Sequence, residues 1–300
     1  MFQKRTDLAL EIHELHGTDS GITVENTTKN GLAVTTARIN SPSGEKLSGK
    51  NSGEYITVDI GSLTSIERGR LEIIAKTIAD EIKALLPMGD GCVLVAGLGN
   101  KKITPDSLGP KVVENLLVTR HIKTIDEALF KNAGFGCVAA ISPGVLGQTG
   151  IESAEIIKSI CGSIKPKCVV VIDSLASRRL NRLATTVQLS NGGISPGSGV
   201  ANKRAELSEK TLGVRVISIG VPTVVDAATL AFDLLEEHFG KSDEGFSSAI
   251  EKILLGDGRN MFVTPKESDV ITDKTAKLLA DSLNIALHNL EMNEINDFLN

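Results

Sequence analysis

Aromatic residues are scarce. They make up 3% of the 300-residue chain, with no tryptophan and a single tyrosine, Tyr55. A platform that stacks single-stranded nucleic acid needs several rings, so this composition argues against one. Positive charge is not in excess either: 32 Lys and Arg stand against 37 Asp and Glu, a net charge of −5. A phosphate-backbone footprint needs the opposite balance. Long apolar runs are missing, and none approaches the roughly 20 residues of a membrane span. The first residues, MFQKRTDLALE, lack the apolar stretch of a secretory signal. Neither nucleic acid nor a membrane is expected as a partner.

Cysteine is sparse and unpatterned. Cys92, Cys137, Cys161 and Cys168 show no C-x-x-C spacing, and three of them lie in or beside strand-like runs. They read as reduced, buried thiols of a cytoplasmic protein. The five histidines are scattered. No metal site and no cofactor is expected.

What the chain does have is alternation. Residues 1–30 are polar and without clear periodicity. LAVTTARIN (32–40) and EYITVDIG (54–61) alternate like half-buried strands, joined by a loop rich in Gly, Ser and Lys. Apolar residues at helical spacing, Leu71, Ile74, Ile78, Ile82 and Leu85, predict a helix over 66–86, with a Ser before its first turn. Strand-like runs at 92–99, 137–142, 168–176, 185–190 and 214–223 then alternate with helical segments at 107–122, 152–164 and 226–239. The C-terminal segments 244–255 and 268–290 read as helices. Strands bare of alternation are buried on both faces, and strand–helix alternation implies parallel pairing. The expected fold is α/β: a three-layer, mostly parallel sheet flanked by helices, with additional N-terminal strands. The Gly/Ser-rich stretch 190–213 breaks the rhythm and is either functional or a mobile surface insert.

Ligands of such sheets bind beyond the carboxyl ends of the strands. Those ends offer carboxylates and glycines here. After 92–97 come Gly97-Leu98-Gly99-Asn100 and then Asp106. After 168–172 comes Asp173, followed by the basic pair Arg178-Arg179. The glycine turn lacks the third glycine of a dinucleotide loop, since Lys102 stands there, and no Walker pattern occurs. A nucleotide- or anion-binding module on the Gly97–Asn100 loop remains the alternative from another class. Asp106 and Asp173 each have a structural reading as a helix cap or hydrogen-bond acceptor. On neighbouring strands, however, they could share a proton, one acting as acid and the other as base toward water. That chemistry hydrolyses peptide bonds.

At these residues the chain resembles the germination protease (spore protease) family of endospore-forming bacteria. The resemblance runs through RTDLALE (5–11), GLGNKKITPDSLGP (97–110), ISPGVLGQTGIES (141–153), VIDSLASRRLNRL (171–183), SPGSGVANKR (195–204), ISIGVPTVVDAAT (217–229) and MFVTPKESD (261–269). It implies a fold like that of the hydrogenase-maturation endopeptidases, and Asp106 and Asp173 as an aspartate pair that acts without metal. It implies small acid-soluble spore proteins as substrates during germination, the forespore and spore core as location, and a homo-oligomer. It also implies a zymogen that removes its own N-terminal segment. RTDLALE has the pattern of the family's cleavage sites, which places the cut at Leu8–Ala9, a propeptide over 1–8 and a single peptidase domain over 9–300. Arg178, Arg179 and Lys203 are then candidates to bind acidic flanks of the substrate. A metal-dependent maturation peptidase of the same fold is the remaining alternative.

Overall fold

The computed structural model of the chain describes residues 4–17, 21–198, 204–239, 261–288 and 290–299. Its frame is one nine-stranded sheet. Four strands at one end are parallel, in the order β8 (Arg215–Asp226), β6 (Cys168–Ser177), β4 (Val93–Gly97) and β5 (Val138–Ile141). β7 (Thr186–Ser190) joins β8 antiparallel. Beyond it β3 (Gly53–Asp59), β2 (Leu32–Ile39) and β1 (Ile22–Lys29) extend the sheet, each antiparallel to its neighbour. A short β9 (Phe262–Val263) pairs with the end of β8.

The three layers follow from the two-residue period of the strands. Val93, Val95, Val170, Ile172, Ile217 and Ile219 point to one face, where they meet Ile74, Ile78 and Ile82 of α3 (Arg68–Leu85). Leu108 and Val112 of α4 (Leu108–Glu114) and Leu279 and Leu283 of α11 (Ser268–Leu287) complete that layer. The alternate residues Leu94, Ala96, Val169, Val171 and Val216 point the other way. They pack on Ile157 and Cys161 of α8 (Ser153–Ile164) and on Leu212 of α9 (Glu209–Leu212). β6 is buried along its length because both layers cover it. Among the described residues no helix is long and apolar enough to cross a membrane.

Local signals changed several boundaries. The polar stretch before residue 30 forms α1 (Ala9–His16) and strand β1. The loop expected between β2 and β3 holds α2 (Pro42–Ser48): Ser41 Oγ accepts the Gly44 N–H at 3.1 Å, Pro42 opens the first turn, and Gly49 closes it at φ 65°. The helix over 66–86 starts after Glu67 with no side-chain cap, so the expected Ser signal is not used. The helix over 107–122 is two, α4 and α5 (Arg120–Ile125), followed by α6 (Glu127–Asn132) and, after β5, the short α7 (Leu146–Thr149). The helix expected at 244–255 lies outside the described residues. Within 190–213, Ile194 bridges Leu207 and α9 closes the stretch.

The N-terminal arm is built into this frame. Asp7 N donates to Ala176 O at 2.8 Å, and Ala9 N donates to Gln188 Oε1 at 2.9 Å. Leu8 and Ala9 are fully buried, and a buried leucine stabilises by about 1.5–3 kcal/mol. Glu11, also fully buried, accepts the Arg178 N–H at 2.6 Å, the Arg179 N–H at 3.0 Å and Arg182 Nη1 at 3.2 Å. A buried carboxylate persists only when paired and hydrogen-bonded, and here two consecutive amides and a guanidinium satisfy it.

Candidate active site

The loop after β4 and the middle of β6, which runs on beyond the position where the sequence suggested a strand end, come together. The loop is Gly97–Asp106. Gly97 must be glycine because a Cβ there would lie 2.1 Å from Gly109 O on α4. At Gly99, with φ 109°, a Cβ would likewise lie 2.0 Å from Asp106 O. The glycines therefore admit α4 and a tight loop. The amide they might have offered to a phosphate is already used, since Asn100 N donates to Asp106 Oδ2 at 2.7 Å. The Thr104–Asp106 turn is fixed from both sides: Ser107 Oγ donates to Thr104 O at 2.8 Å, and Thr223 Oγ1 of β8 donates to Pro105 O at 2.6 Å.

Asp173 lies inside β6, opposite Gly220 of β8, and β6 runs on past it to Ser177. It is 5% exposed, and one of its oxygens accepts the Ser174 N–H at 2.9 Å. Asp106 and Asp173 line one cavity of about 500 Å³. Its walls are largely apolar, with Leu98, Ile103, Leu146, Leu175, Leu207 and Phe262. Burial holds the Asp173 carboxyl well above the ordinary carboxylate range. The negative charges of Asp106 and Asp7 push it further, and the Ser174 N–H only partly offsets them. Asp106 is also raised by burial, against the pull of the Asn100 N–H. Both carboxyls that face this cavity are thus pushed toward the protonated form.

The other residues singled out in the sequence are placed differently. Arg178 is buried and bound through Nε and Nη2 to Asp233, at 2.6 and 2.9 Å. Arg179 pairs with Glu237. Neither lines the cavity, because each guanidinium meets a carboxylate of α10 (Ala227–Phe239), which packs beside this loop. Lys203 lies outside the described residues. Leu8 and Ala9 are buried under the sheet and do not line the cavity, but Asp7 does. Arg204, 3.8 Å from Glu152, lines it as well. Neither Asp7 nor Arg204 was singled out as a site residue. Both fall in stretches that carry the family resemblance, which was the available signal. Among the described residues no group of three or more His, Cys, Asp or Glu side chains is placed to hold a metal ion.

A mixed sheet, its parallel part covered by helices on both faces, with two carboxyls, Asp173 buried and Asp106 half-buried, on one cavity, defines a class: an α/β protein with a carboxyl-lined cleft at its parallel strands. Residues 4–249 match the model of the germination protease family. The chain is 42% identical to the germination protease of Clostridium acetobutylicum over 99% of both chains. Identity to that of Caldanaerobacter subterraneus is 42% over 98% of both, and to that of Bacillus licheniformis 38% over 95% of this chain and 93% of the other. The chain belongs to the germination protease family. Among solved structures, the NiFe hydrogenase maturation protease HycI of Thermococcus kodakarensis aligns with 69% of this chain and 98% of its own, at 15% identity and a TM-score of 0.38.

Proposed function

We propose that this peptidase cuts small acid-soluble spore proteins at germination, in the spore core, by an aspartate pair that activates water. The observation that carries the reading is the shared cavity of Asp106 and Asp173, each pushed toward the protonated form. Asp173, the more deeply buried, carries the proton. Asp106, with one oxygen fixed by Asn100, accepts a proton from water. The water oxygen then bonds to the scissile carbonyl carbon while Asp173 protonates the carbonyl oxygen. Asp106 returns its proton to the departing amine as the C–N bond breaks, and Asp173 regains its proton from a hydroxyl of the same carbon, which leaves the carboxylic acid. No step needs a metal.

The chain is made as a zymogen whose residues 1–8 leave by self-cleavage at Leu8–Ala9, and it works as a homo-oligomer. In the arm-docked state that bond is buried and its Ala9 N–H is bound, so the arm has to lift before the bond reaches the carboxyl pair. The test is cleavage of a purified spore protein by wild type, Asp106→Asn and Asp173→Asn. Activity in the wild type alone, with all three equally folded, supports the reading. Full activity in the double variant refutes it.

A further inference from the structure

A carboxyl pair accounts for the water and for proton transfer, but the oxygen of the scissile carbonyl also needs a fixed donor as charge gathers on it. Apart from the carboxyls, the side-chain donors that line the cavity are Asn100, Ser153, Ser174, Arg204 and Thr223. Ser153 Oγ is committed to Gly144 O at 2.9 Å, and Thr223 Oγ1 to Pro105 O at 2.6 Å. Ser174 Oγ has no partner among the described residues but is sealed from solvent. Arg204 is paired with Glu152.

Asn100 differs from all of these. Its Oδ1 accepts the Lys102 N–H at 3.0 Å and Nε2 of Gln148, on α7, at 2.8 Å. A backbone N–H can only donate, so the atom that faces it is the oxygen, and the amide cannot be turned the other way round. Nδ2 is therefore the far end of an anchored planar group. Among the described residues it has no hydrogen-bond partner. The loop sets this amide between the two carboxyls. Asn100 N donates to Asp106 Oδ2 at 2.7 Å, and two residues earlier Leu98 N donates at 2.8 Å to the carbonyl of Ile172, the residue before Asp173. A neutral amide suits this place, because it donates without a positive charge that would draw the proton off either carboxyl.

We propose that Asn100 is a catalytic residue, whose Nδ2 donates to the oxygen of the scissile carbonyl and steadies the negative charge that gathers there as water adds to the carbon. This rests on the proteolytic reading above. Asp173 delivers its proton to the same oxygen, and Nδ2 keeps its own hydrogens throughout. The bond is stronger in the transition state than in the bound substrate, because the oxygen is most negative there, so it speeds the reaction without tightening substrate binding.

Kinetics of the full chain on a purified spore protein test this, with wild type, Asn100→Ala and Asn100→Asp. Asn100→Ala is expected to lower kcat about 10²–10³-fold, the loss of one such donor, and to leave KM where it was. The pH limbs of kcat are expected to stay in place, because the N–H of residue 100 still holds Asp106. Asn100→Asp keeps an acceptor for Lys102 and Gln148, so the loop stays anchored while the donor is lost and a charge faces the oxygen. Its kcat is expected to fall at least as far. A wild-type kcat in either variant overturns the inference. So does a pH limb that moves in Asn100→Ala, which marks Asn100 as a support for Asp106 alone. A wild type that cuts nothing sinks the proteolytic reading and this inference with it, whereas a wild type that cuts no faster than Asn100→Ala sinks only the inference.

Discussion

Asp106 Oδ2 accepts the backbone N–H of Asn100 at 2.7 Å, so this carboxylate closes the loop that presents it. Replacing it by asparagine keeps an oxygen for that bond and removes the proton acceptor. Asp106→Asn is therefore expected to cost only about 1 kcal/mol of stability while lowering the cleavage rate by about 10²–10⁴-fold. Thermal unfolding beside a cleavage assay measures both.

Asp173 makes stability fall as pH rises. Its carboxyl titrates well above the unfolded value of about 3.9. The folded state therefore holds the proton longer, and the stability this provides is full below that pH and lost as pH rises through the folded pKa. Asp173→Asn, which cannot ionise, is expected to be the more stable protein at neutral pH, with the gap closing toward pH 4. Melting temperatures of both proteins across that range check it.

The Arg178–Asp233 pair acts with the opposite sign. Burial raises the Asp233 carboxyl, but Arg178 and Lys4 outweigh it and hold the carboxyl below its ordinary value. Its contribution is present above about pH 3.9 and fades as pH falls. Arg178→Met leaves Asp233 with only Lys4 and is expected to cost about 3 kcal/mol. Arg178→Lys recovers part of that, because a single ammonium cannot reproduce the two-pronged bond. Urea denaturation at neutral pH ranks the three proteins.

Gly97→Ala places a methyl group 2.1 Å from Gly109 O, a backbone atom that cannot turn aside. α4 has to retreat from β4. The expected loss is about 3 kcal/mol, with activity falling further because the Thr104–Asp106 turn moves with the helix. Gly162→Ala, in α8 and away from the cavity, where a Cβ meets nothing within 4 Å, serves as the control.

Much of this was legible in the chain. VLVAG and CVVVIDSLAS announced strands covered on both faces, and those strands lie in the parallel part of the sheet. Asp106 and Asp173 stood out because carboxylates next to buried strands are costly to bury; both line one cavity, although Asp173 lies within β6 and not at its end. The failures share a cause. Glu11 and Asp7 look like ordinary surface charges in sequence, since the amides that satisfy them lie some 170 residues on. Arg178 and Arg179 looked free for the same reason: Asp233 and Glu237 come to them only by tertiary packing. α2 was missed because a seven-residue helix rests on its caps rather than on an apolar stripe.

The bond between Asp7 and Ala176 spans 169 residues of sequence. Gln188, which holds Ala9, lies 179 residues on. This arm is thus among the last segments to find its place, because its receptor does not exist until β6 and β7 have been made and brought together. A chain that is truncated or misassembled has nowhere to dock its arm. In this molecule the docked arm is a record that β6 and β7 have been made and stand side by side around β8.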